Sequence, residues 1–184
     1  MSRIGRLPIA VPPAVTVTIK ANEVTVKGPK GQIVQAFNSG MAIKLEASKL
    51  TVARPNDTKE NRALHGLTRA LLNNMVTGVT TGWEKNLEIV GVGFRAEKTG
   101  EKILLRVGFS HTVEVSPLPG ITLGIDGPSR IKVQGVNKET VGEMASEIRA
   151  IRPPDAYKGK GIRYVGELVR IKPGKAGKAV GKGK

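Results

Sequence analysis

The chain has 184 residues, 30 Lys+Arg against 15 Asp+Glu for a formal net charge of +15, and no cysteine. Disulfides, thiolate nucleophiles and zinc–thiolate sites are therefore excluded, and the charge far exceeds what solubility needs, which points to an anionic polymer or surface as partner. With 39% hydrophobic residues the chain can build cores, and its length suits one domain or two small ones.

The opening Met1-Ser2-Arg3-Ile4-Gly5-Arg6-Leu7-Pro8 lacks an apolar run long enough for a signal peptide. Nowhere do about 18 uncharged apolar residues follow one another, so neither export nor membrane spanning is expected, and a cytoplasmic location is. Short strands then dominate the first half. Val15, Val17 and Ile19 alternate with threonines, followed by Val24 and Val26, residues 33–37, Ile43-Lys44-Leu45 and Leu50-Thr51-Val52. Lys27-Gly28-Pro29-Lys30-Gly31 supplies the turn chemistry of a hairpin and carries two lysines. At residues 56–60 the period changes. Asp57 is expected to cap a helix, with Glu60 completing a capping-box pattern, Leu64, Leu67, Leu71 and Met75 on its apolar face, and Gly78 with Gly82 ending it.

The second half repeats this order. Residues 87–90, 103–107, 113–115, 121–123 and 131–133 read as strands, and Asn137 precedes a helix whose Val141, Met144, Ala145, Ile148 and Ile151 share a face and which stops at Pro153-Pro154. Sliding the first half by 81 residues lays Leu50-Thr51-Val52 on Ile131-Lys132-Val133, Asn56 on Asn137 and Leu67 on Ile148. The expected fold class is α+β: two tandem duplicated domains, each a small, mostly antiparallel sheet packed against one helix. Their expected bounds are 1–82 and 83–173, followed by a basic flexible tail at 174–184 that cannot bury enough apolar area to fold alone.

Charge is unevenly distributed. Residues 1–62 carry 10 cations and 4 anions, residues 63–148 carry 9 of each, and residues 149–184 carry 11 and 2. A neutral middle between basic ends implies defined contact surfaces. Glu139, Glu143 and Glu147 recur every four residues on the polar side of the second helix and would repel a phosphate backbone, so loops and tail, rather than this helix, are expected to touch nucleic acid.

Motifs of catalysis fare poorly. Gly91-Val92-Gly93-Phe94-Arg95-Ala96 matches a dinucleotide fingerprint, but Glu97-Lys98-Thr99-Gly100 reads as a turn leading to another strand, where the fingerprint needs a helix N-terminus. A small nucleotide-using enzyme is the alternative this motif raises, and a basic membrane-surface module is another, which lacks a helix with a cationic polar face. Neither Lys27-Gly28-Pro29-Lys30-Gly31 nor Lys158-Gly159-Lys160-Gly161 completes a Walker pattern, and His65 and His111 are read as surface or partly packed, with no metal-ligand spacing. No catalytic residue, metal or cofactor is assigned. The six aromatics do not match the base-stacking pattern of RNA-recognition sheets, which favours phosphate and groove-shape reading of folded RNA over stacking.

Pro154-Asp155-Ala156-Tyr157-Lys158-Gly159-Lys160-Gly161-Ile162-Arg163-Tyr164 places Lys158, Lys160 and Arg163 beside two tyrosines on a glycine-rich backbone able to approach phosphate closely. Residues 154–162 resemble, position by position, the signature of the bacterial type of the large-subunit ribosomal protein L-six family, and Arg3-Ile4-Gly5 and Pro8-Ile9 resemble its opening. Asp155-Ala156 stands where Glu-Pro is common. The resemblance covers almost the whole chain. It implies a non-enzymatic ribosomal constituent that binds large-subunit rRNA mainly through its C-terminal half, near the sarcin-ricin loop and the base of the factor-binding stalk, with ribosomal proteins and translation factors as neighbours. The expected rRNA-binding residues are Tyr157, Lys158, Gly159, Lys160, Gly161 and Arg163, then Lys175 and Lys178 of the tail, with Arg3 and Arg6 as further contacts.

Overall fold

In the computed structural model, residues 3–46 and 48–174 are described, and they form two compact units. The first runs to Trp83 and includes Gly135–Lys138; the second comprises Glu84–Gln134 and the chain from Glu139 onward. Among the described residues no helix is long and apolar enough to cross a membrane.

The first unit contains β1 (Ile9–Ala10), β2 (Thr16–Lys20), β3 (Glu23–Gly28), β4 (Gly31–Ala36), β5 (Ala42–Glu46), β6 (Lys49–Ala53) and α1 (Lys59–Thr80). Its strands form two three-stranded antiparallel sheets, ordered β2-β3-β4 and β1-β6-β5. The alternation in sequence does what it should: Val24 and Val26 of β3 and Leu50 and Val52 of β6 face inward, while Thr25 and Thr51 do not. Gly28 pairs with Gly31, so Pro29-Lys30 is the two-residue turn of the expected hairpin. α1 packs on β3, β4 and β6 and closes a core with Leu72, Met75, Val76 and Val79.

Three sequence expectations for α1 need correction. The cap is Thr58, whose hydroxyl accepts from the Asn61 amide, because Asp57 is held by Arg54, whose Nε lies 2.7 Å from Asp57 Oδ1. Gly78 lies inside the helix; the stop comes at Thr81 and Gly82, whose amides both return to the Thr77 carbonyl. The buried stripe is His65, Thr68, Leu72, Met75, Val76 and Val79, and Leu67 is 54% exposed. The 81-residue shift therefore holds at the strands, where Leu50 and Ile131 are both fully buried, and fails at the helices, where exposed Leu67 would fall on buried Ile148.

His65 is a core residue, only 4% exposed, not a surface one. Arg54 Nη1 lies 2.8 Å from its Nδ1, and since a guanidinium only donates, Nδ1 accepts and Nε2 donates to the Val52 carbonyl at 2.9 Å. Any Cβ at Gly5 would come within 2.5 Å of this ring, so the N-terminal stretch lies directly over it.

The second unit contains β7 (Trp83–Val90) but for its first residue, then β8 (Arg95–Thr99), β9 (Lys102–Arg106), β10 (Val113–Val115), β11 (Ile121–Ile125), β12 (Arg130–Gly135) but for its last, α2 (Lys138–Ile151) but for its first, and β13 (Gly161–Tyr164). One sheet is ordered β10-β9-β8 and the other β11-β12-β7-β13. Val141, Met144, Ala145 and Ile148 of α2 are buried, as are Leu87, Ile89, Ile103, Leu105, Ile131 and Val133. The stretch read as a turn, Glu97-Lys98-Thr99, is strand β8, and the reversal comes at Gly100-Glu101. The architecture is thus α+β in both units, with two sheets and one helix in each.

His65→Leu removes both ring bonds and strands the buried Val52 carbonyl, which costs about 1–3 kcal/mol. Thermal unfolding should shift down by about 2–4 °C per kcal/mol, with His65→Gln, which keeps a donor, falling between. An unchanged melting temperature in His65→Leu would contradict the pairing.

Candidate nucleic-acid interface

α2 ends at Ile151 before Pro153-Pro154, and the chain turns through residues 155–160 into β13. Main-chain bonds close this loop on itself. The Asp155 amide donates to the Lys160 carbonyl, and the Gly159 amide to the Asp155 carbonyl, each at 2.9 Å. Asp155 Oδ2 accepts from the amides of Lys158 (2.8 Å) and Tyr157 (3.2 Å). The Lys172 amide donates to the Ala156 carbonyl at 2.7 Å, fastening the segment after β13 to the loop.

The two glycines have different duties. Gly159 turns the chain at φ +66, where a side chain would be strained. Gly161 gives clearance: a Cβ there would stand 2.6 Å from the Pro153 carbonyl oxygen and 2.8 Å from that of Arg152. That close approach lets the Ile162 amide donate to the Arg152 carbonyl at 2.7 Å and seats the Ile162 side chain with no exposed surface.

β13 pairs antiparallel with β7, Arg163 opposite Glu88 and Tyr164 opposite Leu87. Arg163 Nε donates to Glu88 Oε1 at 2.5 Å. Beyond it, Glu167 is gripped by a two-pronged Arg149, Nε to Oε2 at 3.0 Å and Nη2 to Oε1 at 2.5 Å, and its Oε2 also accepts from the Tyr164 amide. These partners act on acidity as expected: the Arg149 hydrogen bond, then the Tyr164 amide, hold the Glu167 carboxyl below its ordinary value, and Glu167 raises Arg149. Arg149 and Lys85 each place their charge 5.7 Å from the Tyr164 ring centroid.

The predicted residues thus sort by position. Tyr157, Lys158 and Lys160 project from the loop and are exposed, Tyr157 by 60%. Gly159 and Gly161 are buried backbone, and Arg163 is half-buried with Nε committed to Glu88. Lys175 and Lys178 lie outside the described residues. Arg3 and Arg6 are exposed in the first unit, whereas Lys30 of the hairpin turn is tied through Nζ to the Thr81 carbonyl. Glu143 and Glu147 are exposed along α2 with Glu139, as the charge pattern requires of a solvated stripe.

Gly91–Phe94 link two strands, β7 and β8, so no helix N-terminus is available for a pyrophosphate. Among the described residues no three His, Cys, Asp or Glu cluster as metal ligands. An open cleft of about 440 Å³ beside Lys98, Glu101, Pro117 and Thr122 holds no nucleophile paired with a base. One cluster escaped sequence reasoning. Phe109 and His111 stack in the loop between β9 and β10, and Arg152 faces Phe109, a juxtaposition across more than 40 residues that only the fold brings about.

Asp155 is held below its ordinary value chiefly by the Lys158 amide, with help from Tyr157 and Ala156. A depressed carboxylate contributes order above its unfolded pKa and loses it as pH falls through the folded one. The amide resonances of Tyr157 and Lys158 should therefore titrate together with a midpoint below 3.8, and Asp155→Asn should abolish that titration. A midpoint at or above 3.8 would show that the carboxylate does not shape the loop.

The sequence pattern of the family described as ribosomal protein L6 matches residues 11–82 and again 90–165. A large ribosomal subunit protein uL6 of Dehalococcoides mccartyi (strain CBDB1) is 57% identical over 183 residues, covering 100% of this chain and 99% of the relative. Its namesake in Listeria monocytogenes (serotype 4a) is 54% identical over 178 residues, covering 97% and 100%. Two matched repeats on two α+β units, and identity maintained from end to end, leave one assignment: the chain belongs to the ribosomal protein L6 family.

Proposed function

We propose that this chain is a structural constituent of the large ribosomal subunit, without enzymatic activity, that binds large-subunit rRNA through the 155–160 loop and so stabilises RNA tertiary structure for translation. The observation that carries the reading is a cationic loop whose backbone is fixed by its own hydrogen bonds while Lys158 and Lys160 remain exposed. The names of the relatives supply the ribosome as its setting. Lysine ammonium groups on a pre-formed loop neutralise phosphates and release counterions at little ordering cost.

The finer placement rests on the family resemblance of residues 154–162: near the sarcin-ricin loop and the base of the factor-binding stalk, with ribosomal proteins as neighbours and translation factors passing close by. In this reading residues 1–82 and 83–173 are the two repeats, the second carrying the main RNA contact, and the tail from 174 adds Lys175 and Lys178. Tyr157 packs or hydrogen-bonds against the sugar–phosphate chain, Gly159 and Gly161 shape the loop, and Arg163 divides its charge between Glu88 and phosphate. Arg3 and Arg6 are further contacts of the first repeat.

Replacing Lys158 and Lys160 together with Ala should weaken rRNA binding and reduce the slope of log K against log salt by about 0.7–0.9 per lost phosphate contact. Arg163→Ala should change that slope less than either lysine while lowering thermal stability, since it also breaks the pair with Glu88. Filter binding or fluorescence anisotropy across a salt series reads both, and an unaltered slope in the double variant would overturn the assignment of the loop.

A further inference from the structure

The loop between β9 and β10 holds a group of side chains that the proposed phosphate contacts do not use. Phe109 and His111 stack with ring centroids 5.6 Å apart and planes 13° from parallel. The Arg152 guanidinium carbon lies 5.2 Å from the Phe109 centroid. The loop is firmly seated, because Gly108 lies so close to Phe94 that a Cβ would meet that ring at 2.8 Å. Yet the stack itself is not core: Phe109 keeps 39% of its surface exposed, and His111, Arg106 and Arg152 are exposed.

Two rings packed only to fill space would be covered. Here they hold each other parallel at the surface with the Arg152 guanidinium beside Phe109, which is the arrangement that receives a further flat ring and the phosphate attached to it. We propose that Phe109 and His111, with Arg152, form a nucleobase platform on which one unpaired base of an RNA strand continues the stack. The identity of the partner follows from chemistry: a nucleic-acid strand offers a π-face and an anion at every nucleotide, which suits an aromatic stack beside a guanidinium on a chain of net charge +15.

Arg152 joins the platform to the loop. Its guanidinium faces Phe109, while its carbonyl accepts from the Ile162 amide and abuts Gly161. A strand lying along Lys158 and Lys160 therefore has the platform as its neighbour, and in this respect the inference rests on the proposed rRNA reading. It adds base stacking to a surface that the sequence pattern assigned to phosphate alone.

The test uses the full chain and a single-stranded RNA of about eight nucleotides, a length within the usual site size of such surfaces. One version carries 2-aminopurine at its centre and another an abasic site there. The wild-type protein should alter 2-aminopurine fluorescence on binding and should bind the abasic oligomer roughly tenfold more weakly, within the range that stacking one base supplies. Phe109→Leu and His111→Ala should each remove both the fluorescence change and the preference for the intact oligomer, with the salt slope unaltered. His111 is exposed, so its removal leaves the fold intact even where Phe109→Leu perturbs the loop. Equal affinity of the wild-type protein for the two oligomers, or variants that behave as wild type, would overturn the platform. A flat response of the salt slope in the Lys158/Lys160 variant would instead overturn the loop assignment, so the two failures are separable.

Discussion

The contact on which the second unit's candidate site depends is the passage of Gly161 beneath the carbonyls of Arg152 and Pro153. With a side chain at 161, β13 would have to move away from the exit of α2. The bond from the Ile162 amide to Arg152 would lengthen, Ile162 would leave the core, and the register that sets Arg163 against Glu88 would shift with it. A residue chosen for having nothing beyond its backbone thus fixes where the cations of the loop stand. None of those cations is needed to hold the loop, so they remain available.

Charge in this region follows the same division. The acids are few, and each is occupied by structure: Asp155 ties the amides of Tyr157 and Lys158, Glu167 holds Arg149 and the Tyr164 amide, and Glu88 holds Arg163. Each carboxylate stabilises backbone or a half-buried arginine, and none is paired with Lys158 or Lys160 among the described residues. An exposed ion pair at either lysine would add little stability, by the usual worth of such pairs, while cancelling the charge that a phosphate would meet. Among the described residues after 148, Arg149 and Arg163 are therefore spent within the fold, while Arg152, Lys158, Lys160, Arg170 and Lys172 are exposed.

How far this was legible in the sequence depends on how local each cause is. Strands β2 to β6 were readable because one face of each is apolar and the turn between β3 and β4 uses Pro and Gly in the ordinary way. The buried face of α2 was readable for the same reason, since Val141, Met144, Ala145 and Ile148 are all apolar. The face of α1 was not, because His65 and Thr68 occupy its buried stripe and Leu67 does not. A polar ring is tolerated there only because Arg54 and the Val52 carbonyl satisfy both nitrogens, and that arrangement is tertiary. Strands β8 and β13 escaped notice because each is short and presents few inward apolar residues, Ala96 in one and Ile162 in the other. What makes them strands is pairing with β9 and β7, and for β13 the partner is some 75 residues away. The signature segment was legible as a cationic loop, while its continuation into a sheet and the placing of Arg152, just before it, over Phe109 were not.

The helices explain why the candidate surface is made of loops. A helix face presents its charges at fixed spacing, and α2 displays Glu139, Glu143 and Glu147 along its exposed side. Three carboxylates within a few turns repel a phosphate chain over roughly a Debye length, about 8 Å at physiological salt, so RNA cannot lie along that side of α2 at low cost. Arg149 and Arg152 begin the change of sign at the end of the helix, where a cation also suits the helix dipole. Arg149 is drawn inward to Glu167 and becomes framework; Arg152 stays exposed, with its guanidinium over Phe109 and its carbonyl under Gly161. On the proposed reading an RNA strand approaches past the C-terminal end of α2, where the backbone is held by its own hydrogen bonds, Arg152, Lys158 and Lys160 are exposed and Phe109 stacks with His111.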